Sequence, residues 1–365
     1  MRILHIIARM NVGGTATYIS NLISGLEKLG VENLLVMGNV PKGETEDEVV
    51  GTLKYKRIES LSRELSLTKD FKARSEIQAA IKEFKPDLIH THTFKAGFLL
   101  RIGKRQIPAI HSFHGHHLYD PEFGLVKRSI LNLIERLLAP RAQRLVTIGK
   151  KVGEELLAVG IGKPEQYLSI PPGIAAIELG SDSAIRKKFG FSEDEVLILW
   201  LGRFTQVKRP DRVIEIARLM PGARFLMAGG GEMLEELKQS APSNLTFLGY
   251  QDKNQMWTIA DIALCTSDSE GMPLSLIEAQ MAGVPVVSTE VGSVAEIVED
   301  GVTGRLAMRS VEDLAAKLLE VMGEIEKSDA LSKASQRRAA KEFTVKVMAE
   351  AHLDLYKRVL DKVAR

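Results

Sequence analysis

Two acidic and two basic residues follow apolar runs in the second half of the chain. Glu270 comes shortly after the run DIALCTS, and Glu278 comes eight residues later. Arg203 and Lys208 follow another run, VLILWLG. A carboxylate accepts hydrogen bonds from vicinal hydroxyls such as those of a ribose, whereas Arg and Lys can clamp a diphosphate. This spacing is therefore typical of a site for a nucleoside diphosphate sugar.

The segment GMPL lies between the two glutamates and precedes a predicted helix. Its residues are Gly271, Met272, Pro273 and Leu274. The first N–H groups of a helix lack intrahelical partners and carry partial positive charge, so they attract phosphate. A simple helix cap would explain one acid but not the second. The segment instead offers donors to a phosphate between two acceptors for hydroxyls.

Strands and helices must position these residues. Short continuous apolar runs alternate with amphipathic segments of helical length in both halves, which predicts parallel strands buried on both faces. The predicted strands cover residues 2–8, 32–38, 87–92, 108–113, 144–149, 196–202, 224–229, 245–249, 261–267 and 284–289. We therefore expect an α/β protein of two doubly wound domains, with ligands beyond the carboxyl ends of the strands.

Two prolines mark the predicted boundary between these domains. Pro171 and Pro172 interrupt both periodicities in SIPPGIAAIELGSDS, and proline cannot continue a helix. Beyond about residue 311 the apolar spacing predicts helices to the end of the chain. We assign a first domain to 1–170, a linker to 171–190, a second domain to 191–343 and a final helix to 344–365.

Composition and charge limit the classes of function. Apolar residues make up 45% and charged residues 26% of the chain, as in ordinary globular proteins. Cys265 is the single cysteine, which excludes an internal disulfide and suits a reducing compartment. The opening apolar run is too short to span a membrane. These features lead us to expect a cytoplasmic protein.

The two halves of the chain differ in charge. Residues 1–170 carry 25 Lys and Arg against 18 Asp and Glu, whereas the remainder carries 24 against 29. A basic first half favours an anionic partner, with a lipid diphosphate or an anionic membrane surface as the suitable kind. An uneven distribution by chance is the alternative.

Glycine-rich loops disfavour a dehydrogenase. A dinucleotide site needs G-x-G-x-x-G after its first strand. The first loop has only Gly13 and Gly14, and the AGGGEML turn has Leu234 at the third glycine position. These glycines still allow the backbone to approach a bound group closely.

Several segments together resemble the family 4 retaining glycosyltransferases of GT-B fold. They are the E-x7-E pair, GRFTQVK, GSVAEIVEDGVTGRL, NVGGTATYI, DLIHTHTFKAGFLLR and IPAIHSFHGHHL. The similarity covers nearly the whole chain, and the order of the motifs makes it specific. It implies two Rossmann-like domains that face each other across a cleft, with the C-terminal helix crossing back to the first domain.

The resemblance also implies roles for individual residues. Glu278 would hold the ribose hydroxyls and Glu270 the transferred sugar. Arg203 and Lys208 would bind the diphosphate, and Gly14 would close over it from the first domain. The hinge reads IPPGI and the loop EGMP where many members have other residues, but neither departure removes a charged group.

Two further positions take roles from the same resemblance. The stretch around Gly249 and Tyr250 would flank the base, and His114 would lie beside the transferred sugar. Six histidines crowd two neighbouring predicted strand ends: His90, His92, His111, His114, His116 and His117. Clustered histidines can bind metal, but no Asp or Cys joins them and they share no helical face, so we expect no metal site. His5, within the first strand, is expected to be structural.

The predicted function is an EC 2.4 glycosyl transfer, with retention, from a nucleoside diphosphate sugar to an acceptor hydroxyl. Cations and helix amides face the leaving group, so we expect no cofactor and no metal. UDP is the default nucleotide, and no nucleic acid partner is expected. The acceptor is expected to be a lipid-linked saccharide of a cell-surface polysaccharide or glycolipid, which would bring the protein to the inner face of the membrane. A small soluble acceptor, a GT-B sugar-nucleotide epimerase and a non-catalytic sugar-binding protein are the alternatives.

Overall fold

The computed structural model describes residues 1–64, 66–103, 106–115 and 124–364. These residues form two compact units. The first unit contains the described residues up to Ile174 together with the last helix of the chain, and the second runs from Ala175 to Thr344.

The first unit is built on a parallel β-sheet. Its strands are β1 (Arg2–Ile7), β2 (Glu32–Met37), β3 (Tyr55–Arg57), β4 (Leu88–His92), β5 (Ala109–Phe113), β6 (Arg144–Thr147) and β7 (Tyr167–Ser169). Its helices are α1 (Gly14–Lys28), α2 (Leu67–Phe84), α3 (Thr93–Arg101), α4 (Leu125–Leu138), α5 (Lys150–Ala158) and the last helix, α14 (Val345–Ala364). Within the described residues the strand order is β3-β2-β1-β4-β5-β6-β7.

The two faces of this sheet have different chemistry. On one face, Leu4 and Ile6 of β1 pack into an apolar core with Ile77 of α2 and Leu99 of α3. Because side chains alternate along a strand, His5 points to the opposite face, which α1 and α14 cover. The second face therefore carries a layer of polar side chains next to apolar ones such as Ile3 and Ile7, which share the face of His5 and are buried.

Helix α14 packs in the first unit against α1. The Tyr18 hydroxyl of α1 lies 3.1 Å from His352 Nε2 of α14, and the ring of Tyr356 is fully buried. Near the beginning of α14, the sulfur of Met348 lies 3.1 Å from the Gly173 backbone nitrogen. The predicted return of the C-terminal helix to the first domain is confirmed.

The second unit contains a six-stranded parallel sheet within the described residues. Its strands are β8 (Leu197–Leu201), β9 (Arg224–Ala228), β10 (Leu245–Gly249), β11 (Ile262–Cys265), β12 (Val286–Thr289) and β13 (Gly304–Ala307). Its helices are α6 (Asp182–Phe189), α7 (Pro210–Leu219), α8 (Leu234–Gln239), α9 (Lys253–Ile259), α10 (Leu274–Met281), α11 (Val294–Ile297), α12 (Val311–Ile325) and α13 (Ala330–Glu342). The strand order is β10-β9-β8-β11-β12-β13.

The ten predicted strands are present, but three others, β3, β7 and β13, have no counterpart in the prediction. Each has only three or four residues, and the YKR of β3 contains no apolar run. The segment predicted as a linker over 171–190 includes α6, which belongs to the second unit. The buried Arg186 of α6 donates to Asp182 and to Asp261, and Gly190 ends the helix at φ 77°. Only the first part of that segment is free of helix.

Close packing of α1 against α14 gives a test of this arrangement. A methyl group on Gly25 would lie 2.7 Å from the Cβ of Ala349 and 2.9 Å from a methyl of Val345. Gly25→Ala improves helix propensity by about 1 kcal/mol, but the overlap should cost about 1–3 kcal/mol. We expect faster hydrogen exchange of the α1 and α14 amides.

Gly153→Ala is the matched control, since Gly153 also lies inside a helix of the first unit. A methyl group there meets its nearest atom, Thr147 Oγ1, at an ordinary 3.4 Å. This variant should leave exchange unchanged or slow it. Equal rates of hydrogen exchange at the α1 and α14 amides of the two variants would contradict the close contact between these helices.

Candidate active site

The candidate site of the second unit lies where its strand order reverses. Strands β8 and β11 are neighbours in the sheet, although two other strands separate them along the chain. Loops that follow such strands diverge and leave a crevice at the carboxyl ends. Residues 202–209 follow β8, and residues 266–273 follow β11. Both loops therefore border the same crevice.

The loop after β8 carries the two predicted cations and is anchored by an aromatic side chain. Phe204 is buried and packs edge-on against Trp200, with ring centroids 5.0 Å apart. Its N–H donates to the Gly230 carbonyl at 3.0 Å. Arg203 is exposed, and Lys208 is partly exposed. The backbone is thus fixed while both cationic side chains remain accessible.

Thr266 joins this loop to the loop after β11. Its hydroxyl oxygen lies 3.0 Å from the Lys208 carbonyl oxygen and 2.9 Å from that of Arg209. The same oxygen accepts a hydrogen bond from the Trp200 indole N–H at 3.1 Å. Arg209 has φ 50°, a left-handed conformation that turns the chain into α7. One buried hydroxyl therefore holds two loop carbonyls in place.

Asp268 adds charged contacts between the same loops. Its N–H donates to the Val207 carbonyl at 2.9 Å. Its carboxylate accepts from Arg209 at 3.2 Å and from Arg212 at 2.7 Å. Arg209 and Arg212 are therefore already paired with a carboxylate, whereas the described residues include no ion-pair partner of the exposed Arg203.

Glu270 is nearly buried and sits within reach of Lys208. Its Oε1 accepts from Lys208 Nζ at 2.5 Å and from Ser267 Oγ at 2.6 Å. Cys265 Sγ lies 3.9 Å from the same oxygen. Burial raises the pKa of the Cys265 thiol, and the charge of Glu270 adds to the rise, so the thiol stays protonated and donates. These bonds meet on one oxygen, and within the described residues no hydrogen bond reaches Oε2.

Glu278 lies on α10 with its side chain 5% exposed. Its Oε1 accepts from Lys253 Nζ at 2.8 Å, and its Oε2 accepts from the Trp257 indole N–H at 3.4 Å. Lys253 and Trp257 stand four residues apart on α9 and so lie on one side of that helix. A buried carboxylate needs such partners. Each oxygen retains a lone pair for a ligand hydroxyl.

Lys253 and Trp257 are absent from the sequence-based prediction. Both lie on α9, the helix that follows β10, and Lys253 is its first residue. A Lys and a Trp four residues apart at the beginning of a helix was the available signal. Nothing in the sequence linked them to Glu278, which is more than twenty residues away along the chain.

The GMPL segment leads into α10 as predicted. Pro273 occupies the cap position, Leu274 is the first helical residue, and no side chain caps the helix. Met272 is buried and fixes the segment to the core. The leading N–H groups of α10 are therefore not occupied by a side-chain cap at the edge where both glutamates lie.

Gly292 supports the loop that carries Glu270. A Cβ at this position would lie 1.8 Å from the Glu270 carbonyl oxygen, and φ is +52°. The neighbouring Ser293 N–H donates to the Gly271 carbonyl at 2.9 Å. The loop can take its observed path only with glycine at this position.

Tyr250 is exposed at the end of β10, also near this edge. It follows Gly249, whose φ of 66° turns the chain out of the strand. The phenol ring lies over Gly230, where a Cβ would be 2.8 Å from a ring carbon. Tyr250 thus covers the loop after β9 and offers an accessible aromatic face.

Gly14 and His114 lie in the first unit, at the carboxyl ends of β1 and β5. Gly14 is exposed and begins α1. His114 directly follows β5, with Nε2 3.0 Å from His92 Nδ1 and with its ring 4.6 Å from that of Tyr18. Burial lowers the pKa of His114 to about 3, with a smaller contribution from His352. This histidine is neutral at physiological pH.

The predicted histidine cluster forms part of the polar layer on the sheet. Among the described residues, His5, His90 and His92 bring ring nitrogens within 4.8 Å of one another, a spacing that a metal ion could use. Hydrogen bonds nevertheless account for the nitrogens of all three rings. His111 lies on the other face, against Thr91. His116 and His117 lie outside the described residues.

Family models match both halves of the chain. The family described as glycosyl transferases group 1 matches residues 181–338, and the family described as glycosyl transferase 4-like domain matches residues 13–173. The chain belongs to the family 4 glycosyltransferases. The predicted class of enzyme, a glycosyltransferase, is thereby confirmed.

Two curated relatives of this glycosyltransferase differ in the acceptors that their names give. The D-inositol 3-phosphate glycosyltransferase of Mycobacteroides abscessus is 28% identical over 297 residues, covering 75% of this chain and 66% of the relative. The UDP-Gal:alpha-D-GlcNAc-diphosphoundecaprenol alpha-1,3-galactosyltransferase of Escherichia coli is 25% identical over 303 residues, covering 74% and 77%.

A solved structure agrees in fold. The Anabaena protein Alr3699/HepE, in complex with UDP and glucose, superposes with a TM-score of 0.83 at 17% identity, over 98% of this glycosyltransferase and 100% of that chain. At this identity the similarity establishes the fold alone. The predicted pair of Rossmann-like α/β domains is confirmed. Within the described residues, no helix is both long enough and apolar enough to cross a bilayer.

Gly292→Ala tests the support of the Glu270 loop. The methyl group would overlap a carbonyl oxygen, and alanine is strained at positive φ, so we expect a loss of about 2–5 kcal/mol in the free energy of unfolding. Both tryptophans, Trp200 and Trp257, are buried in the second unit, so fluorescence during urea unfolding reports on this unit.

Gly301→Ala is the control for backbone strain, because Gly301 has φ +78° and the nearest atom to an added Cβ is Nη1 of Arg305, at an ordinary contact distance of 3.6 Å. We expect a loss of only about 1–2 kcal/mol there. Equal losses in the two variants would mean that Gly292 does not support the loop.

Proposed function

We propose that this glycosyltransferase moves a sugar from a nucleoside diphosphate sugar to an acceptor hydroxyl, with retention of anomeric configuration. The observation that supports this most is the grouping of two cations and two buried carboxylates around one sheet edge, beside the start of α10. Phosphate needs the cations and amides, and hydroxyls need the carboxylates. A nucleoside diphosphate sugar supplies both kinds of group.

In this proposal each donor residue has a distinct partner. Arg203 and Lys208 bind the diphosphate together with the first amides of α10, and Gly14 is kept as a proposed donor-binding residue. Glu278, whose carboxylate is held by Lys253, accepts hydrogen bonds from the ribose hydroxyls. Glu270 accepts from the transferred sugar, and Tyr250 lies by the base.

Lys208 links the sugar and phosphate parts of the proposed site. Its Nζ lies 2.5 Å from Glu270 Oε1, so it neutralises a nearly buried carboxylate before any ligand binds. A diphosphate next to Lys208 would share this ammonium group. As the bond to the sugar breaks, negative charge grows on the phosphate oxygen, and fixed donors stabilise it most at that moment. This is why we propose that no metal ion is required.

The departing diphosphate also fits a front-face mechanism. Among the residues that the structure describes, no carboxylate is placed as a covalent nucleophile, so we propose that the leaving phosphate accepts the proton of the incoming hydroxyl on the same face. The acceptor hydroxyl then attacks the anomeric carbon on the same face from which the phosphate departs, so the anomeric configuration is retained. His114, beside the transferred sugar in this proposal, would contact one of its hydroxyls.

UDP is the nucleotide that we propose. The Escherichia coli relative is named as a transferase that uses UDP-Gal, and the Anabaena structure is a complex with UDP and glucose. The contacts to the base are proposed to come mainly from the backbone near Gly249.

The proposed acceptor is a lipid-linked saccharide at an anionic membrane surface. Helix α4 exposes an apolar stripe at helical spacing: Val126, Ile130, Leu133 and Leu137, which are 75%, 53%, 55% and 67% exposed. Lys127 and Arg136 lie on either side of the stripe and are exposed. The acid of this helix, Glu135, is buried against Arg101 with bonds of 2.8 and 2.9 Å.

This arrangement suits an interfacial helix. An apolar face with flanking cations and no exposed acid binds anionic bilayers by burying its side chains at the headgroup boundary. The excess of Lys and Arg over Asp and Glu in the first 170 residues also favours binding to an anionic membrane. The name of the Escherichia coli relative, with its diphosphoundecaprenol acceptor, agrees with this choice. We therefore propose peripheral attachment through α4.

Substitution of the two glutamates tests the donor site. Glu278→Gln should weaken binding of free UDP about tenfold, because a charged acceptor for the ribose is lost. Glu270→Gln should leave UDP affinity nearly unchanged but lower sugar transfer about a hundredfold or more, as for loss of a transition-state contact. Calorimetry gives the affinities, and transfer is assayed with EDTA present.

Glu296→Gln, an acid on α11 outside the proposed site, is the control, and both quantities should stay at the wild-type level. Equal losses of UDP affinity in the Glu278 and Glu270 variants would contradict the division of roles. Transfer that stops in EDTA and returns with Mg²⁺ would contradict the metal-free mechanism.

Vesicle sedimentation tests the proposed membrane face. Leu133→Ser with Leu137→Ser should reduce binding to vesicles containing phosphatidylglycerol at least tenfold, because two exposed leucines no longer enter the bilayer. Binding to neutral vesicles should be weak in every variant.

The control replaces Leu67 and Phe71 of α2, which are 93% and 80% exposed, by serine. It removes similar apolar area from the same unit and should leave vesicle binding unchanged. Equal losses in both double variants, or no binding by the wild type, would contradict attachment through α4 and favour a small soluble acceptor.

A further inference from the structure

A chain of hydrogen-bonded side chains crosses the polar layer of the first unit and ends at His114. His5 of β1 stands opposite His90 of β4, and His92 stands opposite Ser112 of β5. Residues that pair in register share a face, and so do residues two apart along a strand. His5 and His92 thus project together beneath α1 and α14, at the point where the strand order reverses.

Three links form this chain. Asn33 Oδ1 lies 3.2 Å from His5 Nε2, and His5 Nδ1 lies 3.1 Å from His92 Nε2. His92 Nδ1 lies 3.0 Å from His114 Nε2. Asn33, His5 and His92 are buried, whereas His114 is partly exposed. The chain therefore runs from the interior to an accessible ring.

The amide of Asn33 fixes the direction of every link. Its Nδ2 donates to the Val31 carbonyl at 3.0 Å, and only an amide nitrogen can do so. The oxygen Oδ1 must then face His5 and accept from its Nε2–H. In a neutral imidazole one nitrogen donates and the other accepts, so His5 Nδ1 accepts from His92. By the same rule His92 Nδ1 accepts from His114.

The imidazole rings of His5, His92 and His114 are neutral, so each has one donor nitrogen and one acceptor nitrogen. Burial lowers the pKa of His5 to about 3 and lowers that of His92 well below its usual value. Burial likewise lowers the pKa of His114 to about 3. Each ring carries one proton at physiological pH, and the chain places all three on Nε2.

The other two histidines of the layer do not belong to the chain of hydrogen bonds. His90 lies 2.8 Å from the Tyr356 hydroxyl and 2.6 Å from that of Ser112. His352 lies 2.9 Å from the Met348 carbonyl and 3.1 Å from the hydroxyl of Tyr18. Hydroxyl groups can rotate to donate or accept, so these bonds impose no direction on His114.

We propose that Asn33, His5 and His92 are positioning residues that hold His114 as its Nε2–H tautomer, with Nδ1 presented as a hydrogen-bond acceptor to a substrate hydroxyl. The part that concerns substrate rests on the proposed function. Since the amide of Asn33 cannot take up a proton, the chain orients His114 and does not conduct protons. His114 then selects a sugar that offers a hydroxyl donor at that point.

Histidine-selective ¹⁵N NMR of the full chain tests the tautomer without any activity. The sequence has eight histidines, and His114→Gln identifies the His114 signals. We expect an unprotonated Nδ1 and a protonated Nε2 for His114 in the wild type. Asn33→Leu, which removes the acceptor two rings away, should produce a mixture of both tautomers at His114. A protonated Nδ1 in the wild type, or no response to Asn33→Leu, would overturn the proposal.

Kinetics test the consequence for substrate. His92→Leu breaks the chain and should lower kcat for sugar transfer about tenfold, as for loss of one oriented hydrogen bond, with UDP affinity unchanged. His92→Gln keeps one donor and one acceptor and should restore most of the rate. His90→Gln, in the same buried layer but outside the chain, is the control and should remain near wild type.

Deoxy donors separate a substrate contact from a structural effect. With a UDP-sugar that lacks the hydroxyl facing His114, wild type and His92→Leu should transfer at equal rates. An equal loss for His92→Leu and His90→Gln, or a persistent loss with every deoxy donor, would contradict the substrate role. Absence of any transfer by the wild type would refute the proposed function, while the NMR result would still decide the tautomer.

Discussion

The hydroxyl of Thr266 is the contact on which the candidate donor site depends. It holds the carbonyls of Lys208 and Arg209 at about hydrogen-bond distance and is itself held by the indole of Trp200. The loop with the cations and the loop with Glu270 are thus joined at one buried point. Because Thr266 and Trp200 are buried, the backbone that carries Lys208 is held beside the loop of Glu270, as preorganised electrostatic stabilisation requires.

A shared constraint of parallel sheets places polar groups in both units. Each sheet reverses its strand order once, between β1 and β4 and between β8 and β11, and loops diverge there. In the second unit this edge holds Lys208 and Glu270. In the first, the two strands that flank the reversal carry His5 and His92 on one face, in a hydrogen-bonded layer that ends at His114 just beyond β5. Two copies of one architecture therefore support different chemistry, since acceptors and donors differ while the geometry repeats.

Local sequence patterns were sufficient for most of the fold, and they also predicted which loops carry the candidate site residues. Continuous apolar runs predicted ten strands, and the spacing of Glu270 and Glu278 predicted a sugar-nucleotide site. Lys253 was not predictable, because its ion pair with Glu278 depends on how the tertiary fold places α9 relative to α10. The direction of the bonds to His114 was not predictable either, since it depends on an amide brought near by strand pairing. Sequence patterns indicate strands and helices, whereas the hydrogen-bond and ion-pair partners of a side chain depend on tertiary packing.

The central claim is that the crevice beside β8 and β11 binds a nucleoside diphosphate, and hydrogen–deuterium exchange with UDP tests it most directly. The account predicts slower exchange at the amides of residues 203–209 and 268–275 and at the start of α9, where donors and their supporting loops lie. Amides around residues 301–302 and 327–337, which line another cavity of the same unit, should not change. Slower exchange confined to that cavity, with none at the two loops, would contradict the account.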